Sequence, residues 1–132
     1  MSARLSYLNL FARDIEALAG FYARLLGFAE VEAMRSPIYR CLDAGGTLLG
    51  FNAEAAYDLL DLADRKPRTP AVTAYATFEL DSIAAVDAGV DLARQLGSSL
   101  IKPPYRTYYN AYQAVLADPE NNVFRLNHDL AA

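Results

Sequence analysis

The chain of 132 residues contains one cysteine, one histidine and no apolar run that approaches the roughly 20 residues needed to span a bilayer. The single cysteine, Cys41, permits no intrachain disulfide, which fits a reducing cytoplasm. The N-terminus shows no signal-peptide pattern, so we expect a cytoplasmic protein. Positive charge is also scarce, and the net charge of −4 argues against nucleic acid or an anionic membrane as a partner.

The side chains that usually hold metals are few. His128 alone, among scattered carboxylates, is a poor basis for a divalent site, and we interpret it as an ordinary residue near the C-terminus. Cys41 has no histidine near it in sequence, so we interpret it as a small buried hydrophobe. Neither residue is assigned a catalytic role.

A repeat with an offset of 68 residues is the most informative feature that is present. Tyr75 follows Tyr7 by 68 residues, and each begins a segment that alternates apolar and polar residues before a stretch with helical spacing. Asp14 is predicted to cap the first helix and Gly27 to end it, while Asp81 or Ser82 caps the second helix and Gly97 ends it. The predicted strands are 6–12, 29–34, 38–43 and 47–52, then 72–80, 99–102, 112–117 and 122–127.

The predicted elements follow the order βαβββ twice, which indicates an α+β fold. Hydrophobic residues make up 54% of the chain, which suffices for the core of one compact domain spanning 1–132. Within it we place module one at about 4–53, a linker at about 54–70 whose first half forms a short helix, and module two at about 71–128. Two similar modules predict a binding cleft between them.

Two sequence motifs carry a resemblance to a known family. The first runs from Leu8-Asn9-Leu10-Phe11-Ala12-Arg13-Asp14 into Phe21-Tyr22 and Leu26-Gly27-Phe28, and the second is the turn Asp118-Pro119-Glu120-Asn121-Asn122-Val123-Phe124. In this order and spacing the chain resembles the vicinal oxygen chelate superfamily, which includes glyoxalase I, bleomycin-resistance proteins, fosfomycin-resistance enzymes and extradiol dioxygenases. The resemblance implies paired βαβββ modules that form a curved mixed sheet around a cleft.

The same resemblance implies where a metal would bind, and the residues found there do not suit one. The family's ligand positions fall on Tyr7, Tyr75 and Arg125. Tyrosine is a poor ligand until it loses a proton, with a reference pKa of about 10, and arginine offers only donors. We therefore expect no metal and no other cofactor.

Strand alternation predicts which side chains line the cleft. The wholly apolar faces, which include Leu10 and Phe78, are expected under the helices. The mixed faces then present Tyr7, Asn9, Tyr75, Thr77, Glu79, Arg125 and Asn127. Arg125 could pair with a ligand carboxylate while the tyrosines stack on its ring. Alternatively, Arg125 pairs with Glu79 and no anion site exists.

The densest aromatic run, 105–112, contains two further candidates. Tyr108 and Tyr109 are predicted to form a mobile lid over the ligand, as loops at this place do in related proteins. The alternative is a dimer contact or an ordinary amphipathic loop.

These observations favour a metal-free protein that binds a small aromatic or acidic molecule and forms a homodimer. A second hypothesis is a metal-dependent lyase, isomerase or dioxygenase of the same superfamily. A third is a structural or interaction protein whose cleft is filled by its own side chains.

Overall fold

Capping residues fix the two long helices where the sequence predicts them. In the computed structural model, which describes residues 2–130, Oδ1 of Asp14 accepts the N–H of Ala17 at 3.0 Å and begins the first helix. Gly27 ends this helix with a φ of 73°. Ser82, not Asp81, caps the second helix, because its hydroxyl accepts the N–H of Ala85 at 3.0 Å.

The chain divides into two compact units, Met1–Pro70 and Ala71–Ala132, called here the N-terminal and C-terminal units. The N-terminal unit contains β1 (Tyr7–Phe11), α1 (Ile15–Leu26), β2 (Tyr39–Asp43), β3 (Leu48–Asn52) and the predicted short helix α2 (Ala56–Leu59), with single 3-10 turns at Glu32–Met34 and Ala63–Arg65. The C-terminal unit contains β4 (Ala76–Glu79), α3 (Ile83–Gln95), β5 (Ser99–Arg106), β6 (Ala111–Ala117) and β7 (Val123–Asp129).

Each unit has its own mixed sheet covered by its own long helix. The strand order is β1-β3-β2 in the N-terminal sheet and β4-β7-β6-β5 in the C-terminal sheet, and the first strand of each pairs in parallel with the last. Phe51 of β3 is fully buried, with its ring 5.9 Å from that of Tyr22 on α1. Phe124 and Leu126 of β7 are fully buried in the C-terminal unit. The predicted α+β class with two similar modules is confirmed.

Three predicted strand boundaries are wrong. The strand at 29–34 is reduced to a single bridge between Glu30 and Leu42, because the chain then turns and Arg35 folds back to donate two hydrogen bonds to the carboxylate of Glu30. The strand at 72–80 is only β4, since residues 71–75 are exposed and lie outside the sheet. In contrast, β5 continues to Arg106, well past the predicted 102.

The two apolar residues expected beneath the helices are only half-buried. Leu10 and Phe78 occupy equivalent places in β1 and β4, and each of these strands lies at the edge of its sheet. An edge strand has a neighbour on one side alone, so its apolar face is less completely covered. Among residues 2–130, no helix combines the length and apolar character that crossing a membrane requires.

Candidate functional site

Each unit contains a cleft that is lined by some of the polar residues predicted from the sequence. Tyr7 and Asn9 line a cleft of the N-terminal unit, whereas Tyr75, Tyr109 and Arg125 line a cleft of the C-terminal unit. The other predicted residues are not part of either lining, although Thr77 contacts Arg125 directly; they are Thr77, Glu79, Tyr108 and Asn127.

The C-terminal cleft has a volume of about 270 Å³, and three of its seven lining residues are tyrosines. Strands β5, β6 and β7, the turn between β5 and β6, and the residue just before β4 supply its lining: Tyr75, Tyr105, Tyr109, Gln113, Val115, Val123 and Arg125.

Arg125 is held in this cleft by three contacts. It lies opposite Thr77 in the parallel β4–β7 pair, and its Nε donates to Oγ1 of Thr77 at 2.9 Å. Its Nη1 donates to the hydroxyl of Tyr109 at 3.0 Å. The guanidinium carbon lies 4.9 Å from the centre of the Tyr75 ring, within the range of a cation–π contact. The guanidinium is therefore positioned before any ligand arrives.

Gln113 extends these contacts into a directed chain of hydrogen bonds. Its side chain is buried, with 2% of the residue exposed. Its Oε1 accepts from the hydroxyl of Tyr109 at 2.9 Å, and its Nε2 donates to the hydroxyl of Tyr105 at 2.9 Å. Tyr109 thus uses its only proton on Gln113, whereas Tyr105 keeps its proton for another acceptor.

The charge of Arg125 has no carboxylate counter-ion within the described part of the chain. Glu79 accepts instead from Nδ2 of Asn127 at 2.8 Å and from the backbone N–H of Asp129 at 2.7 Å. Nδ1 of His128 lies 3.8 Å from the same carboxylate. The alternative in which Arg125 pairs with Glu79 is therefore wrong. Nη2 of Arg125 has no hydrogen-bond partner among residues 2–130 and can serve an incoming anion.

The aromatic run lies at the tip of a β-hairpin formed by β5 and β6, with Tyr108 and Tyr109 in the connecting turn. Ala111 begins β6 directly after the turn, where its N–H donates to Oγ1 of Thr107 at 2.9 Å. Tyr108 lies in the turn with its side chain fully exposed, and its ring meets that of Tyr109 edge to face at 5.0 Å. Of the two residues proposed as a lid, Tyr109 lines the cleft and Tyr108 does not.

The N-terminal cleft is larger, at about 430 Å³, and mainly apolar. Its polar floor is held by a hydrogen bond of 2.8 Å from the hydroxyl of Tyr39 on β2 to Oδ1 of Asn9 on β1. Burial raises the pKa of Tyr39 well above its ordinary value, as does the neighbouring Cys41 to a smaller extent. The hydroxyl therefore remains a protonated donor over the physiological pH range.

The residues present do not fit the metal that the family resemblance implies. Tyr7, Tyr75 and Arg125 occupy the positions of its ligands. In addition, residues 2–130 contain no group of three or more His, Cys, Asp or Glu side chains that could surround one ion.

Sequence reasoning missed Tyr105 and Gln113. A usable signal existed for Gln113, because it is an uncharged polar residue within the otherwise mostly apolar strand β6. Such a side chain requires hydrogen-bond partners once it is buried, and here the partners are two tyrosines of the same hairpin.

The chain is similar to known proteins over most of its length. The family model described as Glyoxalase/Bleomycin resistance protein/Dioxygenase superfamily matches residues 4–126. A crystal structure described as a glyoxalase/bleomycin resistance protein/dioxygenase family enzyme from Burkholderia phytofirmans PsJN is 50% identical, with a TM-score of 0.94, over 97% of this chain and 100% of that one. No curated protein matches the chain.

More distant structures share the fold alone. A glyoxalase-related enzyme from Fulvimarina pelagi is 18% identical with a TM-score of 0.78, over 96% of this chain and 88% of that one. The fosfomycin resistance protein FosX from Mesorhizobium loti is 16% identical with a TM-score of 0.72, over 97% of this chain and 93% of that one.

Proposed function

We propose that this chain, which belongs to the glyoxalase/bleomycin resistance protein/dioxygenase superfamily, binds a small organic acid in the C-terminal cleft without a metal ion. One observation carries the proposal: Arg125 is held in position in an aromatic cleft, and no carboxylate among residues 2–130 neutralises it. A half-buried charge without a counter-ion favours the binding of an opposite charge.

The geometry of the guanidinium suits a carboxylate. Thr77 and Tyr109 accept one hydrogen bond each from Nε and Nη1, which fixes the plane of the group. The remaining protons on Nη1 and Nη2 can form two parallel hydrogen bonds to the two oxygens of a carboxylate. The free proton of Tyr105 supplies another donor at the same cleft, so the site favours an acceptor-only group.

The rest of the cleft suits a small planar or apolar body. Tyr75, Tyr105 and Tyr109 offer aromatic surface, and Val115 and Val123 complete the lining. A volume of about 270 Å³ lies just below the range of about 300–1,000 Å³ that is typical of pockets for drug-sized ligands. We therefore propose single-ring aromatic acids or short aliphatic acids as the ligand class.

A thermal-shift experiment with matched acids and amides tests this proposal. Benzoate and phenylacetate are compared with benzamide and phenylacetamide, which keep the shape and lose the charge. We expect the acids to raise the melting temperature and the amides to have little effect. We also expect Arg125→Met to abolish the effect of the acids. Equal shifts from acids and amides, or shifts that survive in Arg125→Met, would refute an anion site.

We also propose that the chain forms a homodimer. Strand β1 is an edge strand, and Leu5, Tyr7 and Leu8 expose 66%, 42% and 42% of their surfaces beside or on it. Exposed apolar edges are normally covered in native proteins. Light scattering during size-exclusion chromatography should give twice the chain mass of 14.5 kDa. A single-chain mass at micromolar concentration would contradict this.

A further inference from the structure

A further cleft of the N-terminal unit lies between α1 and β2 and is called here the α1–β2 cleft. It has a volume of about 250 Å³, and five of its lining side chains are charged: Glu16, Arg24, Glu30, Arg35 and Arg40. Small or buried residues line it as well, which include Ala19 and Gly20 on α1 and Leu42 on β2. A Cβ on Gly20 would meet nothing within 4 Å, so the space beside this helix is open.

Arg35 shows the geometry in which an arginine of this cleft holds a carboxylate. Its Nε and Nη2 donate to the two oxygens of Glu30 at 2.8 and 2.7 Å, which is the bidentate arrangement that guanidinium groups form with oxyanions. These hydrogen bonds, and to a smaller extent the charge of Arg40, hold the pKa of Glu30 below its ordinary value. The carboxylate of Glu30 is therefore ionised, and its charge is compensated by Arg35.

Arg40 presents the same two nitrogens without a partner. Its Nη1 donates to the backbone carbonyls of Ser36 at 2.5 Å and Tyr39 at 2.9 Å, which fixes the half-buried guanidinium. Nε and Nη2 form no hydrogen bond with residues 2–130, and neither nitrogen is sealed from solvent. No carboxylate in the described part of the chain lies within ion-pair distance of Arg40. This edge of Arg40 is therefore free to bind an oxyanion from solution.

Arg24 is a second unpaired cation of the α1–β2 cleft. It lies in the last turn of α1, is exposed, and forms no ion pair within residues 2–130. Because Arg35 compensates Glu30, the remaining charges of the lining are those of Arg24, Arg40 and Glu16, and positive charge is in excess. A carboxylate uses both of its oxygens in a bidentate pair with one guanidinium, whereas a phosphate has a further oxygen for a second cation.

We propose that the α1–β2 cleft binds a phosphate group, either as inorganic phosphate or as the monoester of a small alcohol. Nε and Nη2 of Arg40 hold two of its oxygens, and Arg24 contacts a third. The volume of about 250 Å³ lies below the range of about 300–1,000 Å³ that is typical of pockets for drug-sized ligands, which suits a ligand of this size. The proposal goes beyond acid binding at Arg125, because the two linings share no residue.

Titration of the whole chain with phosphate, followed by nitrogen–proton NMR correlation spectra in a phosphate-free buffer, tests the proposal. We expect inorganic phosphate and glycerol phosphate to shift the Nε–H signal of Arg40 and the backbone amide signal of Gly20, and both shifts to saturate together. The tighter of the two ligands identifies the free ion or the monoester as the preferred form.

Two arginine variants measure the contribution of Arg40. Arg40→Gln should weaken phosphate binding roughly tenfold to hundredfold, because a charge-assisted pair is lost. Arg94→Gln is the matched control, since Arg94 is an exposed arginine in the last turn of the other long helix, α3, and it should leave the affinity unchanged. Gly20→Leu fills the open space beside α1 without removing a charge, and should prevent saturable binding even if Arg40→Gln fails to fold.

Two further variants test the ligand class and the place of binding. Arg24→Gln should reduce the preference for phosphate over acetate, and Arg125→Met should retain the shift at Arg40. The proposal is overturned if the shifts do not saturate, if acetate binds the wild type as tightly as phosphate, or if Arg40→Gln and Arg94→Gln bind phosphate equally well. Loss of phosphate binding in Arg125→Met would also overturn it, because the anion would then bind at Arg125.

Discussion

Arg125 and Thr77 face each other across the parallel pair β4–β7, and Nε of Arg125 donates to Oγ1 of Thr77 at 2.9 Å. The equivalent pair of the N-terminal unit is Gly50 and Asn9, where the absence of a side chain lets Tyr39 reach Asn9 instead. The two copies of the repeat therefore share a backbone arrangement but present different chemistry. The positive charge belongs to the C-terminal cleft and not to the N-terminal cleft that Asn9 lines.

The orientation of Gln113 should control acid binding in the C-terminal cleft. In Gln113→Glu, the new carboxylate can accept from both Tyr105 and Tyr109, which turns the free proton of Tyr105 away from the ligand and places a negative charge near Arg125. We expect the affinity for benzoate, measured by isothermal titration calorimetry, to fall roughly tenfold to hundredfold.

The control for this variant adds the same charge elsewhere. Gln95→Glu lies at the exposed end of α3 and should change benzoate affinity by no more than about twofold, since exposed charges are screened by solvent. If the two variants bind benzoate equally well, Gln113 does not position the donors of the cleft.

Replacing Gly50 or Gly20 with alanine should change the stability of the protein in opposite directions. Gly50→Ala forces a methyl group against Asn9 and Tyr39 and should destabilise the protein by about 1–3 kcal/mol. A Cβ on Gly20 within α1 meets nothing within 4 Å, so Gly20→Ala should stabilise the protein by about 0.5–1 kcal/mol. Urea denaturation measures both changes in the free energy of unfolding. If Gly50→Ala leaves the free energy of unfolding unchanged, Asn9 and Tyr39 can move to admit the methyl group without loss of stability.

Local chemistry explains which parts of the fold were predictable from the sequence. Asp14 and Gly27 cap α1 through contacts with backbone groups a few residues away, so the boundaries of α1 could be predicted from residue types alone. The predicted strand at 29–34 was wrong because the chain enters a 3-10 turn at Glu32–Met34, which the alternation of residue types in this segment does not reveal. Strand length at 72–80 was also overestimated, because alternation of apolar residues does not reveal whether a pairing partner is present.

The residues of the candidate site were likewise only partly predictable from the sequence. Alternation along β7 predicted that Arg125 shares a face with Asn127, but the pairing of Arg125 with Thr77 was not predicted from the sequence. The roles of Tyr105 and Gln113 could not be predicted in this way, since they depend on the register of β5 with β6, which contains shifts before Tyr105. Hydrogen bonds across an irregular hairpin are visible only in the three-dimensional structure.

The protein should purify without a stoichiometric metal. Tyr7, Tyr75 and Arg125 stand at the ligand positions of the family, and no alternative group of metal-binding side chains exists in residues 2–130. Elemental analysis after dialysis should find well below one Zn, Ni, Mn or Fe per chain. About one ion per chain, retained on repeated dialysis, would reveal ligands that these residues do not explain.

The most direct test of acid binding is calorimetric titration of benzoate or phenylacetate, whichever gives the larger thermal shift, into wild type, Arg125→Lys and Arg125→Met. We expect one acid per wild-type chain and a loss of affinity in Arg125→Met of roughly tenfold to hundredfold, because a charge-assisted pair contributes about 1.5–3 kcal/mol. Arg125→Lys should be intermediate, since lysine keeps the charge but cannot form two parallel hydrogen bonds. If Arg125→Met binds the acid as tightly as the wild type while unfolding more readily, Arg125 only stabilises the sheet, and the anion site does not exist.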